Sequence, residues 1–232
     1  MPNRNRRGRY PLRNAEATRK MLIESVGEIL KEEGYLGLSV TNIARRARVD
    51  KKNIYNYFGT YNGLIKEYIM SKDFWQPVFE KFSLSQDASS EELRDFLIGV
   101  FQEQFRYFFS NEEMQKFIFW QVATPNALLK QISDEREFHG EEIAKLTDPH
   151  FAGSGISLRA VLALILGGIY YIVWHSRNNK SVVIGIDVNI EKDREEFIKT
   201  IGQVIDIVWE AAATRRKESL TDLEPKSPLR AS

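Results

Sequence analysis

The sequence predicts an all-α protein, and three observations carry that expectation. Apolar residues recur at helical spacing in segment after segment of the 232-residue chain. No stretch shows a convincing rhythm of alternating strand and turn. The segments are punctuated by residues that cap or break helices, among them Gly34, Ser39, Asp50 and Pro77. A composition of 43% hydrophobic and 28% charged residues is that of a globular protein, with room for one large domain or two small ones.

The N-terminal stretch MPNRNRRGRYPLRN is basic and has no apolar run after it, so it is not read as a secretory signal. Residues 1–13 are expected to form a flexible basic arm. From Asn14, taken as an N-cap, Leu22, Val26, Ile29 and Leu30 stand at helical spacing until Gly34 ends the helix. Ser39 then caps a short second helix with Val40, Ile43, Ala44 and Ala47 at i, i+3, i+4 and i+7. Asp50 opens a third helix with Ile54, Tyr57 and Phe58 on one face. Two short amphipathic helices joined by a tight turn are the sequence form of a helix-turn-helix.

Leu64, Ile65, Tyr68 and Ile69 open a fourth helix, which Pro77 is expected to kink or end. After the polar break SLSQDASSEE, residues 83–92, a long helix carries Leu93, Phe96, Leu97, Val100, Phe101, Phe105, Phe108 and Phe109. Glu112–Ala123 supplies another, with Phe117, Phe119 and Trp120, and 126–146 a more polar one. The longest uncharged run, Ala160–Ser176, has 17 residues, short of the roughly 20 of a membrane span. It holds Gly167, Gly168 and His175 between Arg159 and Arg177, so it is read as a helix buried within the chain or against a second subunit, and no membrane is expected. The last helix covers 190–216, with Ile198, Ile201, Ile205, Val208 and Trp209 forming an apolar stripe, and the tail 219–232 is expected to be disordered.

Charge is unevenly placed. Residues 1–66 hold 14 Lys and Arg against 6 Asp and Glu, while residues 67–232 hold 19 against 26. A basic head on an acidic body is the footprint of a polyanion binder, because each cation that neutralises a phosphate releases condensed counterion. With Ile54 and Phe58 turned inward, the third helix presents Lys51, Lys52, Asn53, Tyr55 and Asn56 outward. Lys can reach guanine acceptors, Asn can pair with adenine, and tyrosine hydroxyls can donate to phosphate.

The segment SVTNIARRARVDKKNIYNYFGTYNGL, 39–64, resembles the DNA-binding signature of the TetR-type transcriptional regulators, through Ser39, Val40, Ile43, Ala44, Ala47, Val49, Ile54, Tyr55, Tyr57, Phe58 and Leu64. The resemblance implies an N-terminal helix-turn-helix domain, 14–66, and a C-terminal helical ligand-binding and dimerisation domain, 67–218. It makes Ser39, Thr41, Arg45, Arg48, Lys51, Lys52, Asn53, Tyr55, Asn56, Tyr57 and Tyr61 the candidate contacts to a double-stranded operator. Two positions depart from the pattern. Arg48 stands where the family has glycine, so it must accept a left-handed conformation or reshape the turn. Tyr61 stands where the family often has lysine. The basic arm is either a minor-groove contact or a solvated tail.

The resemblance also implies a small apolar ligand in the body, for which Phe105, Phe109, Phe117, Trp120, Gln121, Tyr170 and Trp174 are candidates, with an aromatic core as the alternative. It implies a homodimer through 157–176 and 190–216, with Gly167, Gly168, Ile198, Ile201, Ile205, Val208 and Trp209 at the interface; a single-subunit core is the alternative. No enzyme is expected. Cysteine is absent, His139, His150 and His175 lack partners at metal-ligand spacing, and Gly153-Ser154-Gly155 lacks a nucleophile-elbow frame, so no metal or cofactor is expected either. A cytoplasmic, ligand-responsive repressor is the leading reading. The runner-up is a small-molecule binding or scaffolding protein whose head no longer reads a specific operator.

Overall fold

Helix α1 (Tyr10–Glu33) begins four residues before the expected Asn14 cap. Pro11 fits a first helical turn, where its missing N–H has no intrahelical partner to lose, so the last residues of the expected arm are helical. The computed structural model describes residues 10–75, 78 and 88–223; Arg4–Arg9 of the arm, Pro77, and 83–87 of the polar break lie outside them. All described regular structure is helical apart from an isolated bridge between Val183 and Ile186.

The chain divides into two compact units. The first takes residues up to Pro77 together with Asn111–Arg136, and the second takes Val78–Ser110 and everything from Glu137 onward.

In the first unit, α1 buries Leu22, Val26, Ile29 and Leu30 completely or nearly so and stops at Gly34, whose φ of 70° suits a residue without Cβ. A single 3-10 turn, Tyr35–Gly37, leads to α2 (Val40–Arg46), whose cap is Ser39: its Oγ accepts the Asn42 N–H at 3.2 Å. Helix α3 (Lys52–Phe58) follows, with the Asp50 carboxylate accepting the Lys52 N–H at 2.8 Å. Helix α4 (Tyr61–Ser71) is capped by Thr60 and buries Leu64, Ile65, Tyr68 and Ile69, packing on α1 and α3. It ends at Ser71, six residues ahead of the proline expected to stop it.

The same unit includes α6 (Glu112–Ala123) and the start of α7 (Ala127–Phe151), which the sequence placed in the body. Side chains account for this. Tyr35 stacks on Trp120 with ring centroids 5.7 Å apart, the Tyr68 hydroxyl donates to Glu113 at 2.7 Å, and Lys66 pairs with Glu135 at 2.8 Å. Arg136 grips Asp73 through two bonds of 3.0 and 3.1 Å, with side-chain exposures of 13% and 3%, and its guanidinium lies 5.6 Å over Phe117. A fork so dry needs both partners.

The second unit holds α5 (Ser90–Ser110), the remainder of α7, α8 (Leu158–Asn178) and α9 (Glu191–Leu223). Ser89 and Glu92 form a capping box ahead of α5: Ser89 Oγ accepts the Glu92 N–H at 3.2 Å and the Glu92 carboxylate accepts the Ser89 N–H at 2.7 Å, which holds that carboxyl below its usual pKa. Helix α5 packs along α9 and buries Leu93, Leu97, Val100, Phe101, Phe105 and Phe108. Trp209 of α9 donates to Ser90 Oγ at 2.9 Å and stacks on His150 at 4.5 Å, and His150 in turn meets Ser90 Oγ and the Trp209 carbonyl. Helix α9 also runs through Ser219 to Leu223, where disorder was expected, because the next helix breaker is Pro225; residues 224–232 lie outside the described residues.

Candidate nucleic-acid interface

The turn between α2 and α3 decides how α3 is presented. After Ala47 the Arg48 N–H donates to the Arg45 carbonyl at 3.2 Å and the Val49 N–H to the Ala44 carbonyl at 3.0 Å, the paired bonds of a Schellman C-cap. The residue between them must be left-handed, and Arg48 has φ of 56°. Of the two outcomes open from the sequence, Arg48 takes the strained conformation and the turn keeps its shape.

Helix α3 turns one side chain fully inward: Ile54 is wholly buried. Lys51, Lys52, Tyr55 and Asn56 are exposed, and Asn53 and Tyr57 are half-buried beside them. Phe58, expected to be an inward anchor, is only half-buried and is covered by the Arg19 guanidinium 5.3 Å above its ring; Arg19 is itself paired with Glu67. Thr41, Arg45 and Arg48 are exposed as well. Ser39 spends its hydroxyl on the α2 cap, and Arg45 donates to Asn42 Oδ1 at 2.5 Å. Tyr61 is half-buried, and burial pushes its phenol above the ordinary pKa, so the hydroxyl stays a donor at neutral pH.

The five cations of the segment 45–52 separate into two kinds. Arg46 turns back on α1, meeting Glu32 at 2.6 Å and Glu33 at 2.8 Å, and those hydrogen bonds raise its pKa further. Among the described residues none of Arg45, Arg48, Lys51 and Lys52 pairs with a carboxylate. Four of the five therefore keep their charge available on the surface that carries α3. Asn42, not anticipated, ties α2 down by donating to the Gly37 carbonyl and to Glu33, both at 2.9 Å.

The family model of the bacterial regulatory proteins, tetR family, matches residues 23–68, which span the C-terminal part of α1, all of α2, the turn and α3, and most of α4. That segment of the chain is similar to the DNA-binding part of the tetR family. Over 198 residues it is 22% identical to the HTH-type transcriptional repressor SCO4008 of Streptomyces coelicolor, covering 84% of this chain and 98% of that one. Its fold is similar to that of FadR from Bacillus subtilis, solved in complex with stearoyl-CoA (TM-score 0.57, 18% identity, 83% of this chain and 98% of that one). It is also similar to that of NalD, the secondary repressor of the MexAB-OprM multidrug efflux pump in Pseudomonas aeruginosa (TM-score 0.55, 20% identity, 81% and 96%). At these identities the two structures speak for the fold alone.

The remaining candidate residues fall in both units. In the first, Phe117 lies under Arg136, Trp120 on Tyr35, and Gln121 donates to Ser133 Oγ at 3.0 Å. In the second, Phe105 packs on Phe109 and Phe197 at 6.0 and 5.3 Å, and Phe109 is held between the guanidinium groups of Arg177 and Arg194, each 5.0 Å away. Tyr170 and Trp174 flank Phe108 at 4.6 and 5.8 Å. Gln104, unanticipated, is buried there; its amide donates to the Tyr170 hydroxyl at 3.2 Å while Oε1 has no partner.

The α9 part of the dimer-face expectation needs correction. Ile198, Ile201, Ile205 and Trp209 are buried by the subunit's own α5 contacts, and Val208 is half-buried, so the stripe on α9 is core. Gly167 and Gly168 are exposed on α8, and a Cβ at either meets no atom within 4 Å. Leu164 and Tyr171 are exposed on the same helix. By length and composition α8 could cross a membrane, and only 22% of its apolar window is buried within the chain.

Proposed function

We propose that the chain is a cytoplasmic, homodimeric, ligand-responsive repressor that grips a double-stranded operator through α3 and is released from it by a small apolar molecule. The observation that carries the DNA reading is the separation of cations: Arg46 is neutralised inside the head, while Arg45, Arg48, Lys51 and Lys52 stand exposed and unpaired among the described residues beside Tyr55 and Asn56. Counterion release makes such a surface a phosphate binder, and the N-terminal turn of α3 supplies the base contacts. Arg48 keeps the turn's C-cap bonds, which supports the helix-turn-helix reading at one of the two departures that motivate the scaffolding alternative; Tyr61 is the other.

The dimer reading rests on α8. An apolar helix exposing Leu164, Tyr171 and two adjacent glycines is covered economically by the same helix of a second copy, which also supplies the paired heads that half-sites need. The ligand reading rests on Phe105, Phe109, Tyr170 and Trp174 of the second unit together with Gln104, whose unpartnered acceptor is a polar anchor among rings. FadR, solved with stearoyl-CoA, shares this fold and motivates the choice of long-chain acyl compounds as first probes.

The purified protein is expected to shift a duplex from its own upstream region at ~150 mM salt in the presence of competitor DNA. Lys52→Ala and Tyr55→Ala should weaken the shift while leaving the melting temperature unchanged. Equal retention of specific and scrambled duplexes would refute operator recognition.

A further inference from the structure

Between α8 and α9 the chain makes a short arm whose base and tip are built in opposite ways. At the base, Asn189 donates to the Ser176 carbonyl at 2.9 Å, the Asp187 N–H to Asp193 at 3.0 Å, and Arg194 to the Val188 carbonyl at 3.2 Å, with Val188 fully buried. At the tip, Val183 and Ile186 exchange both backbone hydrogen bonds, 2.9 and 3.0 Å, around Ile184 (φ 51°) and Gly185 (φ 80°). Two successive positive φ angles define a two-residue hairpin turn whose first position ordinarily holds Asn, Asp or Gly. A β-branched residue there is a backbone outlier. The Ile184 side chain is 99% exposed, so no contact within the subunit holds it or offsets its strain. Val182 and Ile190, on either side, are also more than half exposed.

We propose that this rigid stalk with an apolar tip is a dimer arm, and that Ile184 and Val182 dock onto a second copy of this chain. The inference rests on the two-fold reading above. The occupant follows from continuity: the arm follows directly on α8 in the chain, and α8 carries the exposed Leu164, Tyr171 and bare Gly167-Gly168 of the surface proposed for the partner. Two-fold symmetry makes each arm contact twice, so a tip residue acts on the dimer with doubled effect. Strain at Ile184 is then the conformational requirement for aiming a large aliphatic side chain outward from a turn that would otherwise take glycine.

The test uses the full chain. Ile184→Asn with Val182→Ser, and separately Ile184→Gly, remove the apolar tip with residues that accept positive φ, so the hairpin is preserved; helical content by circular dichroism checks the fold. Dimer dissociation on dilution and subunit exchange between differently tagged dimers are measured, with Leu164→Glu as the variant that disrupts α8 itself. The proposal expects the tip variants to raise the dissociation constant or speed exchange at least about tenfold, the scale on which one removed apolar anchor registers. Unchanged association in both tip variants, with Leu164→Glu monomeric, overturns the arm and leaves the dimer reading standing. A wild-type chain that is monomeric at every concentration overturns the dimer reading and the arm with it.

Discussion

Arg48→Gly separates the cost of the turn from its use. Arg48 occupies the left-handed position between the two bonds of the α2 C-cap, Arg48 N–H to Arg45 and Val49 N–H to Ala44, and those bonds do not involve its side chain. Relieving an L-residue at positive φ gains roughly 1–2 kcal/mol. The greater freedom of glycine in the unfolded chain takes back roughly 0.4–1 kcal/mol. A net stabilisation of about 0.5–1 kcal/mol is expected, which for a chain of this size raises the melting temperature by about 1–4 °C. Operator affinity should move the other way. If the exposed guanidinium neutralises one phosphate, the slope of log K against log salt becomes shallower by about 0.9. Calorimetry and fluorescence anisotropy over a salt series read the two effects separately, and Arg48→Ala, which keeps the strain but loses the charge, should reproduce the slope change without the stabilisation. A lower melting temperature for Arg48→Gly, or an unchanged salt slope, would refute the reasoning.

Gly63→Ala should destabilise the head by about 1–3 kcal/mol and abolish operator binding, because its Cβ would lie 2.2 Å from the Phe58 carbonyl oxygen; a thermal melt at wild-type level would show that the turn yields freely. Asp73→Ala strands a nearly buried guanidinium and should cost roughly 3 kcal/mol in denaturant unfolding, whereas Asp73→Leu with Arg136→Leu should recover most of it. Equal losses in both variants would mean that the pair is not the origin of the effect. Arg159 holds the Glu141 and Asp148 carboxyls below their usual pKa values through hydrogen bonds, so their contribution is present in full above about pH 5 and is lost as pH falls through the lowered values. Arg159→Gln should therefore flatten the acid side of the melting-temperature profile between about pH 5 and 3; curves parallel to wild type would contradict it.

The helices were legible because their signals are local. Ser39, Thr60 and the Ser89–Glu92 box all cap through residues within three positions, and α1 buries the same Leu22, Val26, Ile29 and Leu30 that spacing selects. The capping box could have been read from Ser-x-x-Glu at 89–92 and would have placed the start of α5 inside the supposed polar break. Pro11 was a second local signal, permitted in a first turn, and it marked the true beginning of α1 better than Asn14 did. What was not local was not legible. Nothing in the pattern of 111–136 says that Trp120 stacks on Tyr35 or that Arg136 forks onto Asp73, because those partners are 85 and 63 residues away, so α6 was assigned to the body.

The same distinction explains the candidate sites. A stripe at i, i+3 and i+7 reports that a helix has one buried face, without reporting whether its own subunit or a partner buries it, and α9 is the case where the subunit does. Helix α8 is more apolar overall, and its apolar residues exceed what α5 and α9 cover, so Leu164 and Tyr171 stay exposed. In the head, charge counting treated Arg45, Arg46, Arg48, Lys51 and Lys52 alike. Only the placement of Glu28, Glu32 and Glu33 on α1 removes Arg46 from the set, since a cation within reach of three carboxylates has little left to offer a phosphate. The cations that remain are those whose elements, the end of α2, the turn and the start of α3, carry no acidic neighbour but Asp50, and Asp50 is engaged with the Lys52 backbone. Electrostatic selection of this kind predicts which lysines and arginines shift the salt slope when removed: Arg45, Arg48, Lys51 and Lys52 should, and Arg46 should change stability instead.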